Sequence, residues 1–224
     1  MSQYDEEIII RRFFETQEQG VVVEIGVGFF DINSNSLYLI EKGWNALLVE
    51  PNKHFFEKLN QRYSLNPKVK LENVAAYYEN LDEVDFFEYG QASTLNLEFK
   101  EKAVKAFVDK DGLPEKWMSC EGKEIRGFNE TKVKAVKTSE IIEKYYKSID
   151  FMSIDCEGAD FDVIKGINFE NINIKLICHE KQYEILGSKP NDSLNKEIET
   201  YLNKYNFEKI YENVGNIFYL NKNY

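Results

Sequence analysis

The sequence predicts an α/β fold: a mostly parallel, doubly wound sheet with helices on both faces. Three observations predict it. The stretch from Val21 to Asn52, VVVEIGVGFFDINSNSLYLIEKGWNALLVEPN, runs from a β-branched segment through a glycine turn and a helical pattern to a second apolar segment that ends on Glu50. That is the order of half a nucleotide-binding βαβ unit. A further helical pattern and a third apolar segment follow, so strands alternate with helices as a parallel sheet requires. Finally, Ile149 to Ile154 and Lys175 to Cys178 are short, nearly unbroken apolar runs, the reading of strands buried on both faces.

Taken in order, residues 4–19 are predicted as an amphipathic helix with Ile8, Ile9 and Phe13 on its inward side. Val21 to Ile25 is the first strand. A helix through Leu37, Leu39 and Ile40 stops at Gly43, and Ala46 to Val49 is the second strand. Pro51-Asn52 open a helix through Phe55, Phe56, Leu59 and Tyr63 that ends near Asn66-Pro67, and Val69 to Tyr77 is the third strand. Asp85 to about Asn96, DFFEYGQASTLN, is a β-segment running into a loop. Residues 98–130 form an irregular insertion with a short helix, Ala103 to Val108. It is either a solvated excursion or a lid or acceptor-binding element, since long insertions in compact domains are often functional.

Val133 to Val136 is a short strand, and Ser139 to Tyr146 a helix with Thr138 or Ser139 as its N-cap. The strand Ile149 to Ile154 leads into Asp155-Cys156-Glu157-Gly158-Ala159-Asp160. A helix from Phe161 to Lys165 ends at Gly166, and the strand Lys175 to Cys178 closes on His179-Glu180. A helix from Leu194 to Tyr205 then precedes two strands, Phe207 to Glu212 and Asn216 to Leu220, predicted as a C-terminal antiparallel hairpin around Val214-Gly215. The whole, residues 1–224, reads as a single domain without internal repeats.

Composition narrows the function. With 43% hydrophobic and 30% charged residues the chain has an ordinary soluble balance. No apolar run approaches the roughly 20 residues that span a bilayer, so no membrane association is expected. The net charge of −11 disfavours a nucleic-acid partner. Cys120, Cys156 and Cys178 form no CxxC pair, which suggests neither disulfides nor a zinc cage. The N-terminus lacks a secretory pattern, so a reducing cytoplasm is the expected location. Oligomeric state has no signature in the sequence.

The chemistry is expected at the C-terminal strand ends, where parallel sheets bind ligands. Gly26 and Gly28 permit a tight turn and close approach of a ligand to backbone. Glu50 is suited to accept two hydroxyl hydrogen bonds from a ribose. A dinucleotide site would have a third glycine where this chain has Asp31. Acids at Glu24 and Asp31 suit a cofactor with an ammonium and a sulfonium, S-adenosylmethionine, better than NAD. Three strand ends finish on acids, Glu50, Asp155 and Glu180, and Asp155-Cys156-Glu157 sets two carboxylates two residues apart. Gathering carboxylates away from water is costly without a cation or a proton.

In this order and spacing, VEIGVGFFDINS, LLVEPN, ASTLN and SIDCEGADFDVIKGI resemble the FkbM-family methyltransferases, over roughly Val21 to Glu180. The run from Asp155 to Gly166 is the more specific part. The resemblance implies a Rossmann-like class I methyltransferase fold and S-adenosylmethionine-dependent methylation, mostly of hydroxyl oxygens on sugars, polyketides or other small metabolites. It implies that Glu24, Gly26 and Gly28 cradle the amino-acid part of the cofactor and that Glu50 holds the ribose. Asn73, Val74 and Ala75 would lie near the adenine, and Asp155 and Glu157 beside the transferred methyl. Ala92-Ser93-Thr94 matches a loop that shapes the site. Phe29, Phe30 and Ser153 depart from the family pattern, as does the long insertion.

The expected reaction is therefore O-methylation of a small hydroxylated acceptor, such as a sugar or glycan precursor. The base that removes its proton is to be sought among Asp155, Glu157, His179 and Glu180, His179 having an unperturbed pKa of about 6.5. The same four side chains alternatively suit a divalent metal that orients the acceptor, although no dedicated metal motif is present. Two other readings compete: a non-catalytic binding module on a methyltransferase-like fold, and an NAD-dependent oxidoreductase, which Asp31 argues against.

Overall fold

The computed structural model describes residues 5–30, 34–90, 92–106, 111–112, 116–118, 124–185 and 189–224. Its frame is a seven-stranded sheet. The contributing strands are β1 (Val21–Ile25), β2 (Asn45–Val49), β3 (Val69–Glu72), β9 (Ser148–Ile154), β10 (Asn173–Glu180), β13 (Phe207–Glu212) and β14 (Asn216–Asn221). Their order is β13-β14-β10-β9-β1-β2-β3. The five strands from β10 to β3 run parallel, and the β13–β14 hairpin adds antiparallel to β10. The fold class and the C-terminal hairpin thus stand as expected.

Both faces of this sheet are covered, which explains the unbroken apolar strands. Alternate residues point to opposite sides. Val22, Ala46, Leu48, Phe151, Leu176, Cys178 and Phe218 meet α1 (Glu6–Phe13), α2 (Leu37–Glu41) and α3 (Lys53–Tyr63) through Ile10, Leu39 and Leu59. Val23, Leu47, Val49, Met152 and Ile177 meet α5 (Thr138–Glu143), α6 (Asp160–Lys165) and α7 (Asp192–Asn203) through Ile142, Val163 and Ile198. Asn52 starts α3 as read, its Oδ1 accepting from the N–H groups of His54 and Phe55 at 2.9 and 3.3 Å. No helix among the described residues is long and apolar enough to cross a membrane.

Several local expectations change. The N-terminal helix packs Ile9 and Phe13 against the core as expected, but its most buried residues are Ile10, Phe14 and Glu6, whereas Ile8 is 52% exposed. Glu6 is drawn in by Asn213 and Asn216, whose side-chain amides donate to its Oε1 at 2.7 and 2.9 Å. The third strand breaks at Asn73, whose amide donates to the carbonyls of Glu50 and Pro51 at 2.8 and 3.1 Å. Beyond the break, β4 (Ala75–Tyr77) leaves the main sheet and pairs parallel with β8 (Asn129–Lys137), which also pairs antiparallel with β5 (Leu81–Glu88). Thr138 is the first residue of α5 rather than its cap, and its hydroxyl donates to the Tyr77 carbonyl at 3.1 Å.

The insertion holds regular elements in its described parts. Between β5 and β8 it carries α4 (Leu97–Ala106) and a small hairpin of β6 (Lys116–Met118) with β7 (Glu124–Arg126). Helix α4 begins six residues earlier than expected because Asn96 Oδ1 accepts from the Phe99 N–H at 3.0 Å. A short pair, β11 (Tyr183–Ile185) with β12 (Lys189–Pro190), follows β10.

Candidate active site

The C-terminal ends of β1, β2 and β9 open onto a cleft that encloses about 940 Å³ of space continuous with solvent. Backbone conformation explains why its floor needs glycine. Gly26 has φ +79°, and a Cβ there would overlap the carbonyl oxygen of Asp155. The turn after β1 and the loop after β9 are therefore pressed together, backbone on backbone. Gly28 has φ +52° with nothing within 4 Å of a Cβ position, so that part of the turn faces open space.

Two acids organise this half of the rim. Glu50 lines the cleft, its Oε2 accepting from the Gly28 N–H at 2.8 Å and its Oε1 from the Asn52 N–H at 2.7 Å. Burial pushes its pKa up to about 7 despite these bonds. Glu24 also borders the cleft, but its carboxylate is already engaged. It accepts from Ser34 Oγ at 2.7 Å, from the Asn35 N–H at 2.9 Å and from Ser36 Oγ. It thus holds the Ser34–Ser36 segment that leads into α2, and burial raises its pKa. Asn35 ties this corner to β9, its amide donating to Ser153 Oγ at 3.1 Å. Ser153, a departure from the family pattern, is thereby a structural link.

The other half of the rim is the loop after β9. Asp155, Cys156, Glu157 and Ala159 line the same cleft. Carboxylate oxygens of Asp155, Glu157 and Glu180 lie within 4.8 Å of one another, near enough to hold a divalent cation or to share protons. Asp160 is fully buried beside them, accepting from the N–H groups of Glu180 and Cys156 at 3.2 and 3.4 Å. Burial, reinforced by neighbouring carboxylates, raises Asp155 to about 7 and Asp160 to about 8, and holds Glu157 and Glu180 well above the usual carboxylate range. Glu157 has φ +50°, rare for a residue with a Cβ. Its carbonyl accepts from Thr94 Oγ1 at 2.7 Å, and that of Gly158 from Asn96 Nδ2 at 2.9 Å. The ASTLN segment therefore clamps the acidic loop.

Most of the residues singled out from sequence meet here, with exceptions. Ala75 lines the cleft together with Ala76, whereas Asn73 and Val74 do not; Asn73 braces the backbone behind Glu50, and Val74 packs on the core. Asp31 lies outside the described residues. His179 is not a candidate base: it is fully buried, stacked on Tyr219 with centroids 5.5 Å apart, and its Nδ1 lies 2.8 Å from the Glu180 carbonyl oxygen. Burial depresses its pKa to about 4, and it lines neither this cleft nor the neighbouring cavity. It drops out of the metal set as well, which among the described residues comprises the three carboxylates alone. Sequence reasoning passed over Asp160, although its place in DCEGAD marked it, and over the aromatic wall of Phe29, Phe55 and Phe86. Phe29 and Phe55 pack edge to face at 4.9 Å.

Comparison with known proteins agrees with this geometry. The model of the methyltransferase FkbM domain matches residues 21–209. The chain belongs to the FkbM methyltransferase family. The match extends past the acidic loop into the C-terminal hairpin. In fold, this family member is similar to methyltransferase FkbM from Methylobacillus flagellatus, with a TM-score of 0.50 and 10% identity over 91% of this chain. It spans 44% of that longer chain. A weaker likeness, TM-score 0.46 at 11% identity, joins 98% of this chain to 90% of precorrin-6y C5,15-methyltransferase from Geobacter metallireducens. No curated protein matches the chain.

Family and fold imply S-adenosylmethionine as cofactor, and the cleft fits it. The open backbone at Gly28 leaves room where the cofactor must approach. Glu50 offers acceptors for a ribose diol, and Phe55, Ala75 and Ala76 offer apolar surface for a base. The carboxylates of Glu24, Glu50, Asp155 and Glu157 around one cleft suit a ligand carrying positive charge and repel a pyrophosphate.

Proposed function

We propose that this protein is an S-adenosylmethionine-dependent methyltransferase that methylates a hydroxyl oxygen of a small molecule or sugar. The observation that carries the reading is one cleft with two unlike walls: the glycine turn with Glu50 on one side, and the Asp155 and Glu157 carboxylates on the other, with Glu180 within 4.8 Å behind them. When bound, the cofactor supplies an electrophilic methyl group.

The chain's own contribution is positioning and proton removal. Glu50, held in place by two backbone N–H groups, orients the ribose. Gly26 to Gly28 allow the amino-acid end to lie against backbone. Asp155 and Glu157 face the methyl position, and one of the clustered carboxylates receives the acceptor's proton. Their raised pKa values support that role, because a base near pH 7 is a better match to a neutral hydroxyl than an ordinary carboxylate at about 4. Phe29, Phe55 and Phe86 give the same space an apolar wall.

The test is transfer of a labelled methyl group from S-adenosylmethionine to a panel of sugars and other hydroxylated metabolites, with products resolved by mass. O-methylated product from wild type and its loss in Asp155→Asn would support the reading. Cofactor binding without transfer to any acceptor would favour a binding module. Labelled product carrying the methyl on nitrogen or carbon would overturn the hydroxyl assignment.

A further inference from the structure

A second cavity of about 590 Å³ lies behind the acidic loop. Residues from α4, the loop after β9, the segment after β10 and the start of α7 line it, among them Phe99, Gly158, Glu180, Gln182, Tyr183 and Leu194. The wall between it and the cofactor cleft is thin. Asp155 and Glu157 line the cleft, Glu180 lines the second cavity, and oxygens of all three carboxylates lie within 4.8 Å of one another. A Cβ at Gly158 would press on the Phe99 ring at 3.2 Å, so the ring packs flush against bare backbone. Methyl transfer needs two ligands that meet at one point, and these carboxylates stand where the two spaces approach.

The lining indicates what would fit. Its charges are compensated within the protein: Glu98 pairs with Lys102 at 2.7 Å, Glu184 with Lys189 at 3.4 Å, and Lys181 with Glu212. Glu180 alone among the described charged side chains of this cavity has no ion-pair partner. The Tyr183 hydroxyl is taken up by the Val214 carbonyl, leaving its ring as surface. Phe99, Tyr183 and Leu194 thus offer apolar contact, and Glu180, Asn191 Nδ2 and Gln182 Oε1 offer hydrogen bonds, while Asn191 Oδ1 accepts from the Leu194 N–H at 3.1 Å and Gln182 Nε2 donates to the Glu180 carbonyl at 2.9 Å.

We infer that the second cavity is the acceptor pocket, taking a neutral, hydroxyl-rich ring against Phe99 and Tyr183 with one hydroxyl toward Glu180. The inference rests on the methyltransferase reading and extends it to a place and a set of residues. A sugar ring has an apolar C–H face for the aromatic pair and a polar edge for the amides. An anionic ligand would find no uncompensated cation, because Lys102 and Lys181 of the lining are paired with Glu98 and Glu212.

The test uses saturation-transfer NMR on the full chain with S-adenosylhomocysteine present, methyl glucoside and methyl galactoside serving as neutral probes and glucosamine as the amine-bearing one. Calorimetry of S-adenosylhomocysteine on the same samples reports whether each variant is folded and whether the cofactor site exists. The expected result is saturation of neutral ring protons in wild type, reduced at least tenfold in both Phe99→Ala and Tyr183→Ala, with S-adenosylhomocysteine affinity changed less than threefold. Tyr183→Phe should behave as wild type. Cofactor binding without saturation of any neutral probe would overturn the pocket, as would saturation that survives both alanine substitutions. Saturation of glucosamine alone would overturn the neutral class. Failure of wild type to bind S-adenosylhomocysteine would instead strike the methyltransferase reading.

Discussion

The two halves of the rim carry acids of the same kind in opposite condition. On the β1–β2 side, Glu24 accepts three hydrogen bonds and Glu50 two, from N–H and hydroxyl donors of the turn and the adjoining loops, and Glu50 keeps a lone pair on each oxygen for a ligand. On the β9–β10 side, only Asp160 is held by backbone N–H groups, while Asp155, Glu157 and Glu180 crowd one another. The first half is a scaffold whose carboxyl groups are fixed in orientation before any ligand arrives. The second stores electrostatic tension that a proton, a cation or a bound hydroxyl would relieve. A group-transfer site needs both: one side to hold its cofactor still, the other to change protonation during turnover.

The seam between the halves should be the most fragile point. Gly26→Ala drives a methyl group into the Asp155 carbonyl and also strains a φ of +79°. It is expected to cost roughly 4 kcal/mol or more, or to prevent folding. Gly28→Ala, with open space around it, should cost only about 1–2 kcal/mol. Urea denaturation of the pair measures the contrast, and equal losses would mean that the halves are not locked at Gly26.

Within the scaffold half, Glu24→Ala leaves Ser34, Ser36 and the Asn35 N–H without their acceptor. The expected loss is about 3 kcal/mol by the same denaturation measurement. A loss under about 1 kcal/mol would mean that the network contributes little and that Glu24 is available to a ligand.

The acid-rich half should appear as pH dependence. Asp155 near 7 and Asp160 near 8 are raised above their ordinary values, as is Glu50 near 7. The folded state then binds more protons than the unfolded state between about pH 4 and 8, so their stabilisation is complete below about 4 and fades as pH rises. His179, depressed to about 4, has the opposite sign: stability rises with pH between about 4 and 6.5. Above pH 6.5 only the acids act, and thermal stability should fall toward pH 8. Asp160→Asn should flatten that fall. A wild-type midpoint that is constant from pH 6.5 to 8 would contradict the pKa directions.

Much of this was legible in the sequence because it is local. The glycine turn, the acid at the end of β2 and the DCEGAD run each join neighbouring residues, and the unbroken apolar runs announced a sheet buried on both faces. Long-range contacts account for what was misread. Nothing near Glu6 says that Asn213 and Asn216 will draw it inward, so the inward side of α1 was read correctly at Ile9 and Phe13 but extended to Ile8 in place of Glu6. Asn73 sits inside a good strand pattern, and only its bonds to Glu50 and Pro51 turn the chain out of the sheet. His179 looked like a rim residue because β10 was expected to end at Cys178; the strand continues to Glu180 and takes the imidazole into the core.

The central claim is that Glu50 and the glycine turn form the cofactor site. It is tested most directly by calorimetric titration of wild type and Glu50→Ala with S-adenosylhomocysteine. Micromolar affinity in wild type, weakened on the order of 100-fold in the variant, is the expected result, since two charge-assisted hydrogen bonds are worth roughly 3 kcal/mol or more. No binding to folded wild type, or equal binding to both proteins, would contradict the account.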